Sequence, residues 1–368
     1  MKKFLSAPAA VLVLMLLPPC PGYSVQKTAE SKIFVDYSEM RRYVGELYRE
    51  EKFDEAARVL AEHLDRFPDH VRANAYNLAL MRTRLEEYDG AVRALLFALE
   101  KGVWFGKYDF TAPPWNPLRG LKEFSLFEAR NTRMMKEAAK TATPRLEVRV
   151  PSGFDRDRTY PLFIALHGGG ENIRIFRPNW TSPLLEEEFV VAYPQSSQLI
   201  AADGYNWTED LETTLREIQE AFRRVAAEYP IDPGQVLVGG FSSGGVAALE
   251  TVLSNIFPVR GFVVLCPAKP EGFTVERVRA ADERGVTGTL LTTEMDGRLD
   301  QQREMNGIMK SAGMACEFLV LPDIGHWYPE DMPARLDAAI TRIREGESGD
   351  DPGPFDEDRG KSSKGEID

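Results

Sequence analysis

A glycine-rich turn holds the residues whose types and spacing best fit a chemical role. The apolar run 236–238 is followed by Gly240-Phe-Ser242-Ser-Gly244, a G-x-S-x-G pattern. Between a strand and a helix, this pattern predicts a nucleophilic serine on a strained turn, where only small residues fit two positions before and after it. The register selects Ser242 over Ser243, because Ser243 would need a glycine where Phe241 stands. The alternative is an ordinary glycine-rich turn, such as a phosphate loop.

A serine hydroxyl is a weak nucleophile, so it needs a base that accepts its proton. The chain has four histidines, and two of them, His63 and His70, fall in a helical region. His167 is expected to hold a loop rather than to take part in proton transfer. His326 follows the last predicted strand and lies downstream of Ser242, and it is therefore the predicted general base.

The imidazole in turn needs an acid that orients it and stabilises its charged form. Asp296 stands in Glu294-Met-Asp296-Gly297, directly after a predicted strand. We predict Asp296 as this acid, with Glu294 and Asp300 as rivals. An Asp-Gly pair is also typical of an ordinary turn, and that reading remains open.

The segment His167-Gly168-Gly169-Gly170 follows another buried strand and allows close approach of backbone N–H groups to a substrate oxygen. Donors preorganised around the oxyanion of acyl transfer contribute about 10²–10³ in rate each. We expect the N–H groups of Gly169 and Ser243 to form this oxyanion hole, with Gly168 as the fallback. Trp207 and Trp327 are the predicted substrate-binding residues, although aromatic residues in such loops more often pack in a core.

The elements that must position these residues alternate between strands and helices from residue 145 onward. Strands that alternate with helices imply a mostly parallel sheet covered on both faces. Thr208 is expected to cap the helix that begins near residue 209. The predicted strands are 146–150, 161–167, 189–193, 235–239, 261–266, 289–293 and 316–321.

Residues 36–140 are predicted to form an all-α domain. Phe53, Ala56 and Leu60 recur one repeat length later as Tyr88, Ala91 and Leu95. The segment resembles tetratricopeptide repeats, which are helix pairs of about 34 residues. The resemblance is partial, because the slots that usually hold glycine and alanine contain other residues. It implies a possible protein partner, and the alternative is a helical array that packs on the rest of the chain without one.

The order Ser242, Asp296, His326 is that of α/β-hydrolases. Residues 145–345 resemble the phospholipase/carboxylesterase and dienelactone-hydrolase-like branch of that superfamily. The matching pieces are Leu166-His-Gly-Gly, Gly240-Phe-Ser-Ser-Gly-Gly, Glu294-Met-Asp-Gly and Gly325-His326. Carboxylesterase relatives often carry glutamine where this chain has Ser243.

This resemblance implies an α/β-hydrolase fold and the hydrolysis of a small-molecule carboxylic ester through an acyl-enzyme, with no metal or organic cofactor. A serine peptidase of the same fold is an alternative, although its usual β-propeller is absent from the sequence pattern. A different class of function is a binding protein whose repeats recruit a partner and whose hydrolase domain is inactive.

Composition and the two ends of the sequence bear on the class of protein and on where it is located. The 368 residues are 43% hydrophobic, enough for a core, and their net charge of −12 argues against nucleic-acid binding, which needs a basic face. Residues 1–24 are a predicted signal peptide, which indicates a secreted or periplasmic protein. Lipidation at Cys20, which would anchor the protein to the cell envelope, is the runner-up, and an uncleaved anchor is third. Residues 346–368 are predicted to be a disordered acidic tail.

Overall fold

The computed structural model describes residues 32–346. The predicted signal peptide with Cys20, and the predicted tail beyond its first residue, lie outside the described residues. The chain divides into two compact units between Ala91 and Val92. Within residues 32–346, no helix combines the length and the apolar character needed to cross a membrane.

The first unit is helical, as predicted. The N-cap Asp36 accepts a hydrogen bond from the Glu39 N–H at 2.9 Å, and the Glu39 carboxylate accepts one from Val35 N–H, so these two residues define the start of the first helix. Ala56 and Ala79 are fully buried. The elements of the first unit are α1 (Tyr37–Arg49), α2 (Phe53–Glu62), a 3₁₀ turn (Pro68–His70), α3 (Val71–Arg84) and the start of α4 (Tyr88–Glu100).

The second unit opens with a segment rich in proline and aromatic residues. The rings of Phe105, Phe110, Trp115 and Phe127 meet edge to face, with centroids 5.0–5.7 Å apart, a favoured aromatic geometry. The Asn131 side chain bonds both the N–H and the carbonyl of Phe105. The segment is therefore packed rather than free, and it contains a 3₁₀ helix (Pro113–Leu118) and α5 (Lys122–Ala139).

A seven-stranded sheet follows, and it matches the predicted, mostly parallel arrangement. Its strands are β1 (Arg145–Arg149), β2 (Tyr160–Leu166), β3 (Val190–Gln195), β6 (Ile231–Phe241), β7 (Gly261–Leu265), β8 (Thr287–Thr293) and β9 (Cys316–Leu321). The order is β1-β3-β2-β6-β7-β8-β9, and only β1 is antiparallel to its neighbour. A separate hairpin is formed by β4 (Gln198–Ala201) and β5 (Gly204–Asn206). The carboxyl ends of the parallel strands thus share one edge.

Helices cover both faces of this sheet. One apolar cluster lies beneath α8 (Leu211–Glu228), α9 (Ser243–Ser254), α10 (Val275–Asp282) and α11 (Leu299–Ala312). The opposite cluster lies beneath α6 (Ile173–Phe176), α7 (Pro183–Glu188) and α12 (Met332–Glu345). Burial on both faces explains why the central strands are continuous apolar runs rather than alternating ones.

The cap of α8 differs from the prediction. Asp210, not Thr208, is the N-cap, and its carboxylate accepts the Glu212 N–H at 3.1 Å. The Thr208 hydroxyl instead accepts a hydrogen bond from the Asn206 side chain at 3.0 Å. The helix therefore begins two residues later than the sequence signal indicates.

The turn between β6 and α9 is possible only because two glycines have no side chain. A Cβ on Gly244 would lie 2.1 Å from the Leu166 carbonyl oxygen and 2.5 Å from that of His167. A Cβ on Gly240 would lie 2.5 Å from the Gly244 carbonyl carbon. These neighbours are backbone atoms of packed elements, so they cannot move aside as a flexible side chain would.

Replacing Gly244 by alanine is expected to lower the free energy of unfolding by more than about 3 kcal/mol, because overlap with two carbonyl groups forces β2 and α9 apart. The matched control is Gly307→Ala on α11, where an added Cβ meets nothing within 4 Å. There, alanine should stabilise the helix by up to about 1 kcal/mol. Urea unfolding of both variants tests this, and a Gly244→Ala protein as stable as the control would contradict it.

Candidate active site

Ser242 occupies a strained backbone position at the carboxyl edge of the sheet. Its φ of 52° and ψ of −113° lie in a region that residues with side chains rarely adopt. Its N–H donates to the Leu265 carbonyl at 2.8 Å, which holds the turn against β7. The serine side chain is thereby presented between β6 and α9, the geometry expected of a nucleophile turn.

His326 lies within hydrogen-bond reach of this hydroxyl. The loop after β9 places His326 Nε2 2.9 Å from Ser242 Oγ. The imidazole side chain is 34% exposed, so it is open to a substrate from one side. The Phe241 ring packs beside it, with centroids 5.0 Å apart. The structure therefore brings the predicted nucleophile and base together across 84 residues of chain.

Asp296 lies within hydrogen-bond distance of the other ring nitrogen of His326. Its Oδ2 lies 3.0 Å from His326 Nδ1 and also accepts a hydrogen bond from Gln302 at 3.1 Å, while its Oδ1 accepts the Arg298 N–H at 2.9 Å. Burial acts to raise the pKa of Asp296, but the hydrogen bonds from His326, Arg298 and Gln302 outweigh it and hold that pKa below its usual value. The carboxylate is therefore ionised at neutral pH.

The rival acids lie elsewhere. Asp300 has a side chain that is 99% exposed and pairs with Arg303. Glu294 is exposed and accepts the Asp323 N–H at 3.4 Å. Of the three candidates, the structure brings only Asp296 to the histidine.

Three hydrogen bonds join the loop that carries the acid to the loop that carries the base. They are Glu294 N–H to Leu321 O at 2.8 Å, Met295 N–H to Ile324 O at 3.1 Å, and Thr293 Oγ1 to Gly325 O at 2.8 Å. Because each bond crosses from the end of β8 to the end of β9 or to the segment after it, the imidazole and the carboxylate are held in register.

Two of the three predicted oxyanion donors have N–H groups with no acceptor among residues 32–346, and the third does not. Gly169 lies against the start of α9, since a Cβ there would be 3.4 Å from Ser243 Oγ. Across residues 32–346, the N–H groups of Gly169 and Ser243 donate to no other protein group. The fallback Gly168 is a wrong prediction, because its N–H donates to Glu171 Oε2 at 2.7 Å and is not available to a substrate.

Glu171 is a positioning residue of the candidate site that sequence reasoning missed. Its carboxylate accepts hydrogen bonds from the Gly168 N–H and, at 3.0 Å, from the Tyr328 hydroxyl. Burial raises its pKa, although these two hydrogen bonds oppose the shift. Since Tyr328 stands two residues after His326, Glu171 joins the glycine loop to the loop of the base. No local motif distinguishes Glu171 from a surface glutamate.

His167 is a structural residue of the glycine loop. Its Nδ1 donates to the Gly168 carbonyl at 2.8 Å, and its Nε2 accepts the Ser196 N–H at 3.3 Å, which assigns the proton to Nδ1. Complete burial lowers its pKa to about 4. The imidazole is therefore neutral at pH 7, and protonation would break the bond to Ser196.

The two predicted substrate-binding tryptophans differ in position. Trp207 is only 1% exposed and packs in the core, with its ring 5.0 Å from that of His167, so it has no surface for a substrate and that expectation is wrong. Trp327 is 58% exposed and directly follows the base. A contact between Trp327 and a substrate stays a prediction.

One group of possible metal ligands exists among residues 32–346, and it overlaps the candidate triad. Ligand atoms of Cys266, Asp296 and His326 lie within 4.8 Å of one another. Burial raises the pKa of the Cys266 thiol to about 12, which disfavours the thiolate that metals bind. Both imidazole nitrogens are also engaged within the triad. This donor set does not fit a metal ion.

Comparison with known proteins identifies the class of fold. Residues 163–306 match the sequence model of the alpha/beta hydrolase family. Together with the sheet order, this match confirms the predicted α/β-hydrolase fold. None of the curated proteins matches the chain significantly.

Solved structures with similarity to the chain include an uncharacterized protein from Bacillus cereus, with 25% identity, a TM-score of 0.47, and coverage of 84% of this chain and 99% of that one. A ferulic acid esterase shows 18% identity and a TM-score of 0.44, over 55% of this chain and 93% of that one. A thermophilic esterase from Thermogutta terrifontis shows 17% identity and a TM-score of 0.42, over 55% and 88%.

The buried imidazole of His167 predicts acid sensitivity. In the unfolded chain a histidine takes up a proton near pH 6.5, whereas His167 in the folded protein does so only at about pH 4. Between these values the unfolded state binds more protons, so stability falls as the pH falls, by up to about 3 kcal/mol from this group. Urea titrations from pH 7 to pH 4 should show a shallower loss for His167→Gln than for the wild type. Parallel pH dependences would contradict this explanation.

Proposed function

We propose that residues 145–345 hydrolyse carboxylic esters through an acyl-enzyme. One observation carries the proposal. An unbroken line runs from Ser242 Oγ to His326 Nε2 at 2.9 Å, and from His326 Nδ1 to Asp296 Oδ2 at 3.0 Å. The order and geometry of this line are those of a serine-hydrolase triad. The family match over residues 163–306 supports the same class of chemistry.

In the proposed reaction, Ser242 Oγ attacks the ester carbonyl while His326 Nε2 accepts its proton. The N–H groups of Gly169 and Ser243 stabilise the negative charge on the carbonyl oxygen, and Asp296 stabilises the imidazolium. The imidazolium then protonates the leaving alcohol, which leaves an acyl group on Ser242. A water molecule, deprotonated by His326, cleaves the acyl-enzyme and restores the serine.

We further propose, on the repeat spacing of Ala56 and Ala91, that the helical region 36–140 is tetratricopeptide-like and binds a protein partner. Residues 1–24 begin with two lysines, followed by a short apolar run, and this pattern supports export as a secreted or periplasmic protein. The alternative is a protein anchored to the cell envelope by a lipid on Cys20.

Ser242→Ala is expected to lower kcat for 4-nitrophenyl acetate by at least about 10⁴-fold, because no other group replaces the nucleophile. It should also abolish labelling by a fluorophosphonate probe. The control is Ser311→Ala, which removes an exposed hydroxyl on α11 that bonds only the Gly307 carbonyl. Equal labelling of wild type and Ser242→Ala would show that Ser242 is not the nucleophile.

Asp296→Asn is expected to lower kcat by about 10³–10⁴-fold, since an amide keeps the shape but fails to hold the imidazole in the productive tautomer. Asp300→Asn, at the exposed rival, should stay within about twofold of the wild type. Steady-state rates of both variants decide the assignment, and a larger loss at Asp300 would reverse it.

A further inference from the structure

Arg298 lies against the face of the base. Its Nη1 is 3.2 Å from His326 Nε2 and 3.4 Å from Nδ1. The in-plane direction of each ring nitrogen is already taken, by Ser242 Oγ and by Asp296 Oδ2. An atom this close to both nitrogens would overlap Cε1 if it lay in the ring plane between those two directions, so Nη1 lies over the ring rather than beside it.

The guanidinium of Arg298 has no ion-pair partner among residues 32–346, although the chain is acidic overall. Nearby arginines differ, since Arg303 pairs with Asp300. The backbone of Arg298 is fixed by its N–H bond to Asp296 Oδ1. Its side chain is partly exposed. Arg298 is thus a positioned cation that forms no direct ion pair with any of the described residues.

This cation opposes the chemistry unless something neutralises it. The imidazole of His326 becomes positively charged as it accepts the serine proton, and a guanidinium at hydrogen-bond distance disfavours that charge. A carboxylate bound to Arg298 removes the opposition, and the planar guanidinium is suited to bind one through two parallel hydrogen bonds.

We propose that Arg298 binds a carboxylate carried by the ester substrate, so that the preferred substrates are anionic esters. This proposal rests on the ester hydrolysis proposed above. Arg298 Nη1 is one hydrogen-bond length from His326 Nε2, which is one more from Ser242 Oγ. The carboxylate therefore lies only a few bonds from the scissile carbonyl, on either the acyl or the alcohol side of the ester.

Two pairs of substrates of matched shape distinguish these sides. On the acyl side, 4-nitrophenyl hemisuccinate is compared with 4-nitrophenyl 4-methylpentanoate, in which an isopropyl group replaces the carboxylate. On the alcohol side, 3-carboxyphenyl acetate is compared with 3-isopropylphenyl acetate. The wild type should show at least about a tenfold higher kcat/KM for the anionic member of one pair, as expected for a charge-assisted contact.

Arg298→Gln should reduce this ratio to about one, by lowering kcat/KM for the anionic ester while the neutral ester keeps or gains rate. Arg298→Lys should retain part of the preference, because the charge remains without the planar fork. Arg303→Gln is the matched control and should leave the ratio unchanged. Thermal unfolding of each variant verifies that the fold is kept.

A readout without turnover separates this proposal from the catalytic one. Boronic acids add to a serine nucleophile. The wild type should therefore bind 3-carboxyphenylboronic acid at least about tenfold tighter than phenylboronic acid, whereas Arg298→Gln should bind the two acids with equal affinity. The role of Arg298, but not ester hydrolysis, would be overturned if the wild type bound both boronic acids equally and showed equal kcat/KM within both ester pairs. A preference for the anionic compound that survived in Arg298→Gln would overturn it as well. Absence of turnover and of fluorophosphonate labelling would overturn ester hydrolysis, and this proposal with it.

Discussion

The close contact between the first turn of α9 and the end of β2 is the constraint on which the rest of the site depends. Gly244 lies so near the Leu166 and His167 carbonyls that a single methyl group would overlap both. This contact fixes the strained turn at Ser242, because β6 and β2 are paired in register up to Leu166 and Gly240. It also brings the glycine loop beside Ser242, so the same contact places both the candidate nucleophile and the candidate oxyanion donors.

Polar contacts between loops then place the remaining groups. The loops of the acid and the base are joined at the carboxyl ends of β8 and β9, and Glu171 joins the glycine loop to Tyr328, which lies 157 positions away in the sequence. Buried polar groups that are satisfied in this way specify one arrangement, since leaving any of them unpaired is costly. The candidate triad is thus preorganised by the residues that hold its loops together.

Charge around the imidazole is unevenly balanced. The Asp296 carboxylate contacts one edge of the imidazole, whereas the Arg298 guanidinium lies over its face and has no ion-pair partner among residues 32–346. A site arranged only for neutral esters gains nothing from that cation. In the role proposed for it, Arg298 gives the site a substrate preference that the candidate triad alone does not have, through a contact with the same imidazole that is proposed to transfer the proton.

The sequence by itself determined what depends on short-range patterns. Glycine spacing determined the turn at Ser242, and apolar runs determined the strands whose ends carry Asp296 and His326. Tertiary structure alone decided which of several similar groups is free, bonded or buried. The Gly168 N–H donates to Glu171, Trp207 lies in the core, and Arg298 lies over the ring of His326. These outcomes depend on contacts between residues far apart in the chain, and hydrogen bonding, burial and Coulomb energy follow distance in space rather than in sequence.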